Sequence, residues 1–292
     1  MASPYATISR RLNRISYIAP RVAGRAAFDL FIHPARRMPV RPAEEKAHAE
    51  ADVETLSVDG ADVKTYRWAA GPRQVLLIHG FESRASCFAA FVPALTASGF
   101  TVIGYDAPGH GDSGGNGATI VAHRAVTAAI QERHGPFNAL IGHSFGAICG
   151  FYAVRTGFRA ERIAAISGVS EFGALPDTFC GQLGLRPAIS RELRRRTERF
   201  FYPETDIWQR FSPVYRPGEI TGPVLIVHDE NDREVPVEHA RRIAAAYDGR
   251  ARLITTSGLG HRRILADPAV IGEALEFLSA SDGNGNEDHA PD

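Results

Sequence analysis

The sequence predicts an α/β protein with a mainly parallel sheet and helices on both of its faces. Three observations carry this. Six short apolar runs recur along the chain, and a short continuous run suits a strand covered on both faces. Stretches of helical length lie between most of them, which implies βαβ units. Ahead of them, two segments of alternating polarity flank Asp59-Gly60 and read as an antiparallel hairpin.

Residues 1–50 precede the hairpin. Up to position 41 they carry Arg10, Arg11, Arg14, Arg21, Arg25, Arg36, Arg37 and Arg41 against the single acid Asp29, with Leu12, Ile15, Ile18, Val22 and Leu30 interleaved. A secretory signal needs an uninterrupted apolar stretch, and the arginines interrupt this one. The segment reads as a basic amphipathic extension whose helix lies on the protein body. Residues 1–40 also suit contact with a membrane surface, or a transit peptide.

The hairpin occupies 53–58 and 62–68. After Gly71-Pro72 come the runs Val75-Leu76-Leu77-Ile78, Thr101-Val102-Ile103-Gly104-Tyr105, Phe137-Asn138-Ala139-Leu140-Ile141, Ile163-Ala164-Ala165-Ile166, Val224-Leu225-Ile226-Val227 and Arg252-Leu253-Ile254-Thr255. Together these make eight strands. Helices are expected at about 87–98, 119–134, 147–156 and 238–247, with another after Pro268. The core is thus 51–168 and 222–280.

The alternation breaks once, over 169–221. That segment shows no buried-strand pattern but holds Phe172, Phe179, Phe200, Phe201, Tyr202, Trp208, Phe211 and Tyr215. It reads as a helical insertion capping the core. Arg191, Arg194, Arg195, Arg196 and Arg199 fall on one helix of it, as a solvated face or an anion-binding one. Residues 281–292 are Asp-, Gly- and Asn-rich and read as a disordered tail.

Composition narrows the function classes. A chain of 292 residues with 44% hydrophobic and 23% charged residues has ample material for one sizeable core. Its formal net charge of +0 gives no global field to steer it to nucleic acid or an acidic membrane. The three cysteines, Cys87, Cys149 and Cys180, are odd in number and sparse, so they imply no disulfide framework and fit a reducing, cytoplasmic compartment. No His or Cys spacing suggests a metal site, and no Gly-rich phosphate cradle appears, so no cofactor is expected.

Chemistry concentrates at Gly142-His143-Ser144-Phe145-Gly146, between a strand run and a helical stretch. A serine between two glycines there can sit on a sharp turn, its hydroxyl beyond the carboxyl edge of the sheet and at a helix N-terminus. A serine nucleophile needs a base. His261, in Gly258-Leu259-Gly260-His261 after the last strand run, lies on the same edge, where loops of parallel strands converge. The base needs an orienting carboxylate. Asp232 follows Val227 and opens on that edge, with Asp229, Glu230 and Glu171 as alternatives. The developing oxyanion needs two N–H donors. Gly80 in His79-Gly80-Phe81 permits the bend that would pair the N–H of Phe81 with that of Phe145.

With these motifs in this order, the chain resembles the α/β-hydrolase superfamily, in the style of its lipase, esterase and serine-aminopeptidase-like branches. The resemblance runs from about 53 to 279. It rests on His79-Gly80-Phe81, on the Ser144 pentapeptide, on Asp232 ahead of Val235-Pro236, and on Gly260-His261. Asp106-Ala107-Pro108-Gly109-His110-Gly111-Asp112-Ser113 resembles the family's loop after the fourth strand. The resemblance implies an α/β-hydrolase fold with a helical cap, His79 and Gly80 shaping the oxyanion loop, and Gly142, His143 and Gly146 supporting the turn at Ser144. It also implies a serine hydrolase acting on small-molecule carboxylic esters with an apolar acyl or alcohol part. Thioesterases, C–C bond hydrolases, peptidases and cofactor-free perhydrolases use the same machinery, and some members only bind ligands. Haloalkane dehalogenases and epoxide hydrolases are disfavoured, because their nucleophile is a carboxylate.

Overall fold

Apolar runs bounded by turn residues do become strands in the structure, a computed structural model that describes residues 4–69 and 71–280. The strands are β1 (Asp52–Val58), β2 (Ala61–Trp68), β3 (Arg73–Ile78), β4 (Phe100–Tyr105), β5 (Phe137–His143), β6 (Ala160–Ile166), β7 (Val224–Asp229) and β8 (Ala251–Thr256). They form one eight-stranded sheet in the order β1-β2-β4-β3-β5-β6-β7-β8. β1 and β2 are antiparallel to each other, and β2 is antiparallel to β4; every other pairing is parallel. β4 and β7 are buried at every residue, as continuous apolar runs require. β8 differs. It is an edge strand, so one side of it meets solvent and Leu253 is exposed.

Helices cover both faces. They are α1 (Pro4–Ile15), α2 (Pro20–Ile32), α3 (Glu45–Ala49), α4 (Phe91–Ala97), α5 (Ile120–His134), α6 (Phe145–Arg155), α7 (Ala174–Gln182), α8 (Pro187–Phe201), α9 (Ile207–Arg210), α10 (Glu238–Ala246), α11 (Gly260–Arg263) and α12 (Pro268–Ser279). Leu76, Ile78, Leu140 and Ile163 point to the face covered by α5, α6 and α10. Their strand neighbours Val75, Leu77, Ala139 and Ile141 point to the face covered by α4 and α12. The period of two in a strand divides one apolar run between two cores. Thr119 caps α5 by accepting the N–H of Ala122, and Asp267 caps α12 by accepting those of Ala269 and Val270.

Two helices depart from expectation. The stretch expected over 87–98 becomes a short 3-10 turn, Ala85–Phe88, followed by α4. Pro93 explains the late start, since its ring is tolerated only within a first helical turn. The N-terminal segment is not one helix but two. Ala19 is forced out of the helical region by Pro20, which then opens α2 from its first position.

These two helices rest on α8 rather than on the sheet. Leu12, Ala23, Ala27 and Ile189 form one apolar cluster, and a Cβ on Gly24 would lie 2.2 Å from that of Glu192. Beyond α2, the Arg37 guanidinium donates to the carbonyls of Gly111, Ser113 and Gly115. The segment between β6 and β7 carries α7, α8 and α9. The arginines of α8 do not act as one face. Arg194 pairs with Asp177 on α7, Arg195 with Glu192, and Arg196 donates to the carbonyl of Arg21. The disordered tail expected over 281–292 lies outside the described residues.

Candidate active site

The turn between β5 and α6 sets the site. Ser144 has φ 54° and ψ −120°, a conformation that costs energy for any residue with a Cβ. Close packing on both sides holds it there. A Cβ on Gly142 would lie 2.5 Å from the Cα of Ala147, and one on Gly146 would lie 2.1 Å from the carbonyl oxygen of Ile78. Only glycine lets β5, α6 and the end of β3 approach this closely. The N–H of Ser144 donates to the carbonyl of Ile166 at 2.9 Å, tying the turn to β6.

His261 arrives from the loop after β8, on α11. Its Nε2 is 3.0 Å from Ser144 Oγ, and its Nδ1 is 2.7 Å from Asp232 Oδ2. The carboxylate of Asp232 is fully buried. Its Oδ1 accepts the N–H groups of Glu234 at 2.8 Å and Val235 at 3.0 Å. Burial alone would raise its pKa, but hydrogen bonds from His228 and His261 outweigh this and hold it well below the usual carboxylate range. It is therefore a fixed negative charge beside the imidazole.

The other carboxylates considered for this place face elsewhere. Glu230 lies 3.9 Å from Arg241, and Glu171 lies 3.9 Å from Arg242. Asp229 is buried and accepts the N–H of Leu259 and the hydroxyl of Thr256. It anchors the loop that carries His261 instead of touching the ring.

Three further histidines act as props. His143 donates from Nε2 to the carbonyl of His261 at 2.8 Å, and burial pushes its pKa down to about 3, so it stays neutral. His79 accepts the N–H of Ala107 at 2.9 Å through Nε2 and donates from Nδ1 to the carbonyl of Gly80. His110 accepts the N–H of Glu82 at 3.2 Å. Together the last two fix the loop on either side of Phe81. A Cβ on Gly80 would lie 3.0 Å from that of Ser144, so this loop passes directly over the serine. Phe145 is the first residue of α6, where an N–H has no acceptor within the helix.

Phe81, Ser144, Phe145 and His261 line one cavity of about 420 Å³. The rest of its wall is mainly apolar. α2 supplies Phe31, and the segment between β6 and β7 supplies Phe172, Leu175, Phe179 and Phe201. At the rim, Glu234 pairs with Arg262 at 3.2 Å and reaches within 3.8 Å of His261 Nε2. Among the described residues no group of three or more His, Cys, Asp or Glu is placed to hold a metal ion, and no helix is long and apolar enough to cross a membrane.

Sequence reasoning missed two contributors. His228 Nε2 is 3.5 Å from Asp232 Oδ2 while donating to the carbonyl of Val235, so a second ring backs the carboxylate. The signal available was a histidine near the end of β7, four positions before Asp232. The second is α2, whose Leu30, Phe31 and Ile32 form part of the cavity wall. No sequence spacing relates those residues to Ser144.

Comparison with known proteins agrees with this architecture. Residues 75–274 match the family described as the alpha/beta hydrolase family. Over 159 residues, 53% of this chain, it is 30% identical to the dihydrolipoyllysine-residue acetyltransferase component of the acetoin cleaving system of Cupriavidus necator, and the match spans 42% of that protein's length. Its fold is similar to that of the Pyrococcus furiosus esterase Pf2001, with a TM-score of 0.63, 16% identity, and 85% and 96% of the two chains covered. It is similar also to that of a putative lipase from Acinetobacter baumannii, with a TM-score of 0.61, 17% identity, and 84% and 97% covered.

Proposed function

The chain belongs to the alpha/beta hydrolase family, and from that premise we propose that it is a serine hydrolase of carboxylic esters with an apolar acyl or alcohol part. The observation that carries this reading is the hydrogen-bonded line from Ser144 through His261 to Asp232, opening on an apolar cavity.

The reaction proceeds in two halves. Nε2 of His261 takes the proton of Ser144 as Oγ attacks the ester carbonyl carbon. Asp232 holds the imidazole with its proton on Nδ1 and stabilises the imidazolium that forms. The N–H groups of Phe81 and Phe145 donate to the carbonyl oxygen as it becomes negative. His261 then gives the proton to the leaving alkoxide, which departs as the alcohol. A water repeats the sequence on the acyl-enzyme and releases the acid. An alkoxide leaves far more easily than an amine anion, which favours esters over amides. The segment 169–221 and the last residues of α2, Leu30, Phe31 and Ile32, act as the cap that selects the apolar part.

The test is Ser144→Ala against a chain-length series of aryl esters, run beside thioesters and amino-acid amides. We expect kcat on the esters to fall by a factor on the order of 10⁶, by analogy with serine-triad enzymes. Ester hydrolysis surviving in the purified variant would remove Ser144 from the chemistry. Faster turnover of thioesters or amides by the wild type would move the substrate class.

A further inference from the structure

We propose that the corner between α1 and α2 docks this protein onto an anionic lipid surface. Ile15, Tyr17, Ile18 and Val22 follow one another around that corner with 41%, 73%, 92% and 59% of their surface exposed. They are four of the eight exposed large apolar side chains among the described residues. Packing of the helices does not account for them. The two helices bury Leu12, Ala23 and Ala27 against Ile189, while the large apolar side chains of the corner stay exposed. A helix pair serving only as a wall would carry polar residues there.

Charge identifies the occupant. Arg10, Arg11, Arg14, Arg21 and Arg25 are all exposed on the same two helices, flanking the apolar corner. Among the described residues no carboxylate pairs with any of the five. The Arg186 guanidinium adds a sixth cation, 3.5 Å above the ring of Tyr17. Asp29 is the one acid on these two helices, and Glu192 on α8 is already engaged by Arg195. An apolar tip with an aromatic residue, ringed by unpaired arginines, matches the boundary between acyl chains and anionic headgroups.

The geometry also connects this surface to the cavity. α2 starts at the corner and ends at Leu30, Phe31 and Ile32, which line the cavity. At the helical rise of 1.5 Å per residue, Val22 and Ile32 are about 15 Å apart. A molecule docked through the corner therefore holds its cavity wall close to the lipid layer. The docking itself needs no hydrolase chemistry, so it stands or falls separately from the ester reading.

The experiment is flotation of the full chain with vesicles of phosphatidylcholine alone or mixed with phosphatidylglycerol, at about 0.1 M and about 0.5 M NaCl. Two double variants accompany it, Ile18→Asp with Val22→Asp and Arg14→Gln with Arg21→Gln. Point changes are chosen because deleting residues 1–40 would also remove Phe31 and Arg37. Hydrolysis of a short soluble ester and the Tm are read on each protein, and neither should change. We expect binding to the phosphatidylglycerol vesicles that weakens with salt. The apolar variant should lose at least roughly tenfold in partitioning, and the arginine variant should bind more weakly at low salt and lose less of its binding as salt rises. No binding at low salt, or equal binding by the wild type and both variants, would overturn the proposal. So would a dimer that the apolar variant dissolves in the absence of vesicle binding, since the corner would then serve a second copy of this chain.

Discussion

Replacing Asp232 with Asn separates orientation from charge. The new amide must place its oxygen where Oδ1 stands, because the N–H groups of Glu234 and Val235 both point there. Its NH₂ then occupies the position of Oδ2, 2.7 Å from Nδ1 of His261. A donor there requires Nδ1 to accept, which moves the ring proton to Nε2. That nitrogen faces Ser144 Oγ at 3.0 Å and can no longer take its proton. The lost carboxylate also leaves the imidazolium without its counter-charge. At an effective dielectric of ~20 and a charge separation of about 4 Å, that attraction is worth about 4 kcal/mol. Adding the cost of the wrong tautomer brings the total to about 5.5 kcal/mol, or a factor of about 10⁴ in kcat, which is also the size known for this substitution in a serine protease. The assay is kcat and KM on a soluble aryl ester across neutral to alkaline pH, with Tm as a check on folding. KM should hardly move. Glu230→Gln serves as the control, since Glu230 faces Arg241. A folded Asp232→Asn protein that loses less than about tenfold in kcat would refute the assigned role.

Packing and burial yield two more tests. Gly146→Ala puts a Cβ 2.1 Å from the Ile78 carbonyl oxygen and 2.6 Å from that of His79, so it should cost about 1–3 kcal/mol or more and lower kcat with it. Gly218→Ala, which meets nothing within 4 Å, should leave Tm and kcat unchanged, and equal behaviour of the two would sink the argument. His79, His123 and His143 are buried, and desolvation lowers their pKa values from 6.5, to about 3 for the last two. The folded state keeps them neutral while the unfolded chain protonates them. The stability they permit is whole above 6.5 and falls as pH drops toward 3, by up to about 1.4 kcal/mol per pH unit for each ring. Urea midpoints measured between neutral pH and mild acid should show His123→Phe taking up about one proton fewer on unfolding than the wild type, and an unchanged slope would contradict this.

What the sequence made legible follows periodicity and local chemistry. The strand runs were readable because burial on both faces leaves no polar position, as in β4 and β7. Ser144 was readable because a strained turn between strand and helix demands glycine on either side. Long-range partnership left no such trace. Nothing near Leu12 or Ala27 names Ile189 as their neighbour, so the N-terminal segment looked like one helix on the protein body. The arginines of α8 looked like one face, because spacing along a helix does not reveal that Arg194 reaches Asp177 while Arg196 reaches the carbonyl of Arg21. Asp229 and Asp232 share a loop and a residue type. Only the fold distinguishes the one that anchors Leu259 from the one that meets His261.

The seat of α1 and α2 on α8 also bears on how the chain is made. Asn13 donates to the carbonyl of Gly184, 171 residues later in the sequence. At ribosomal speeds this partner emerges roughly 10–30 s after α1 has left the exit tunnel. Through that interval Leu12, Ala23 and Ala27 have no surface to cover them. α1 and α2 are therefore made well before the helix they pack on. A nascent chain of this protein presents these two basic, apolar helices to whatever chaperone or membrane lies nearest until residue 189 is made.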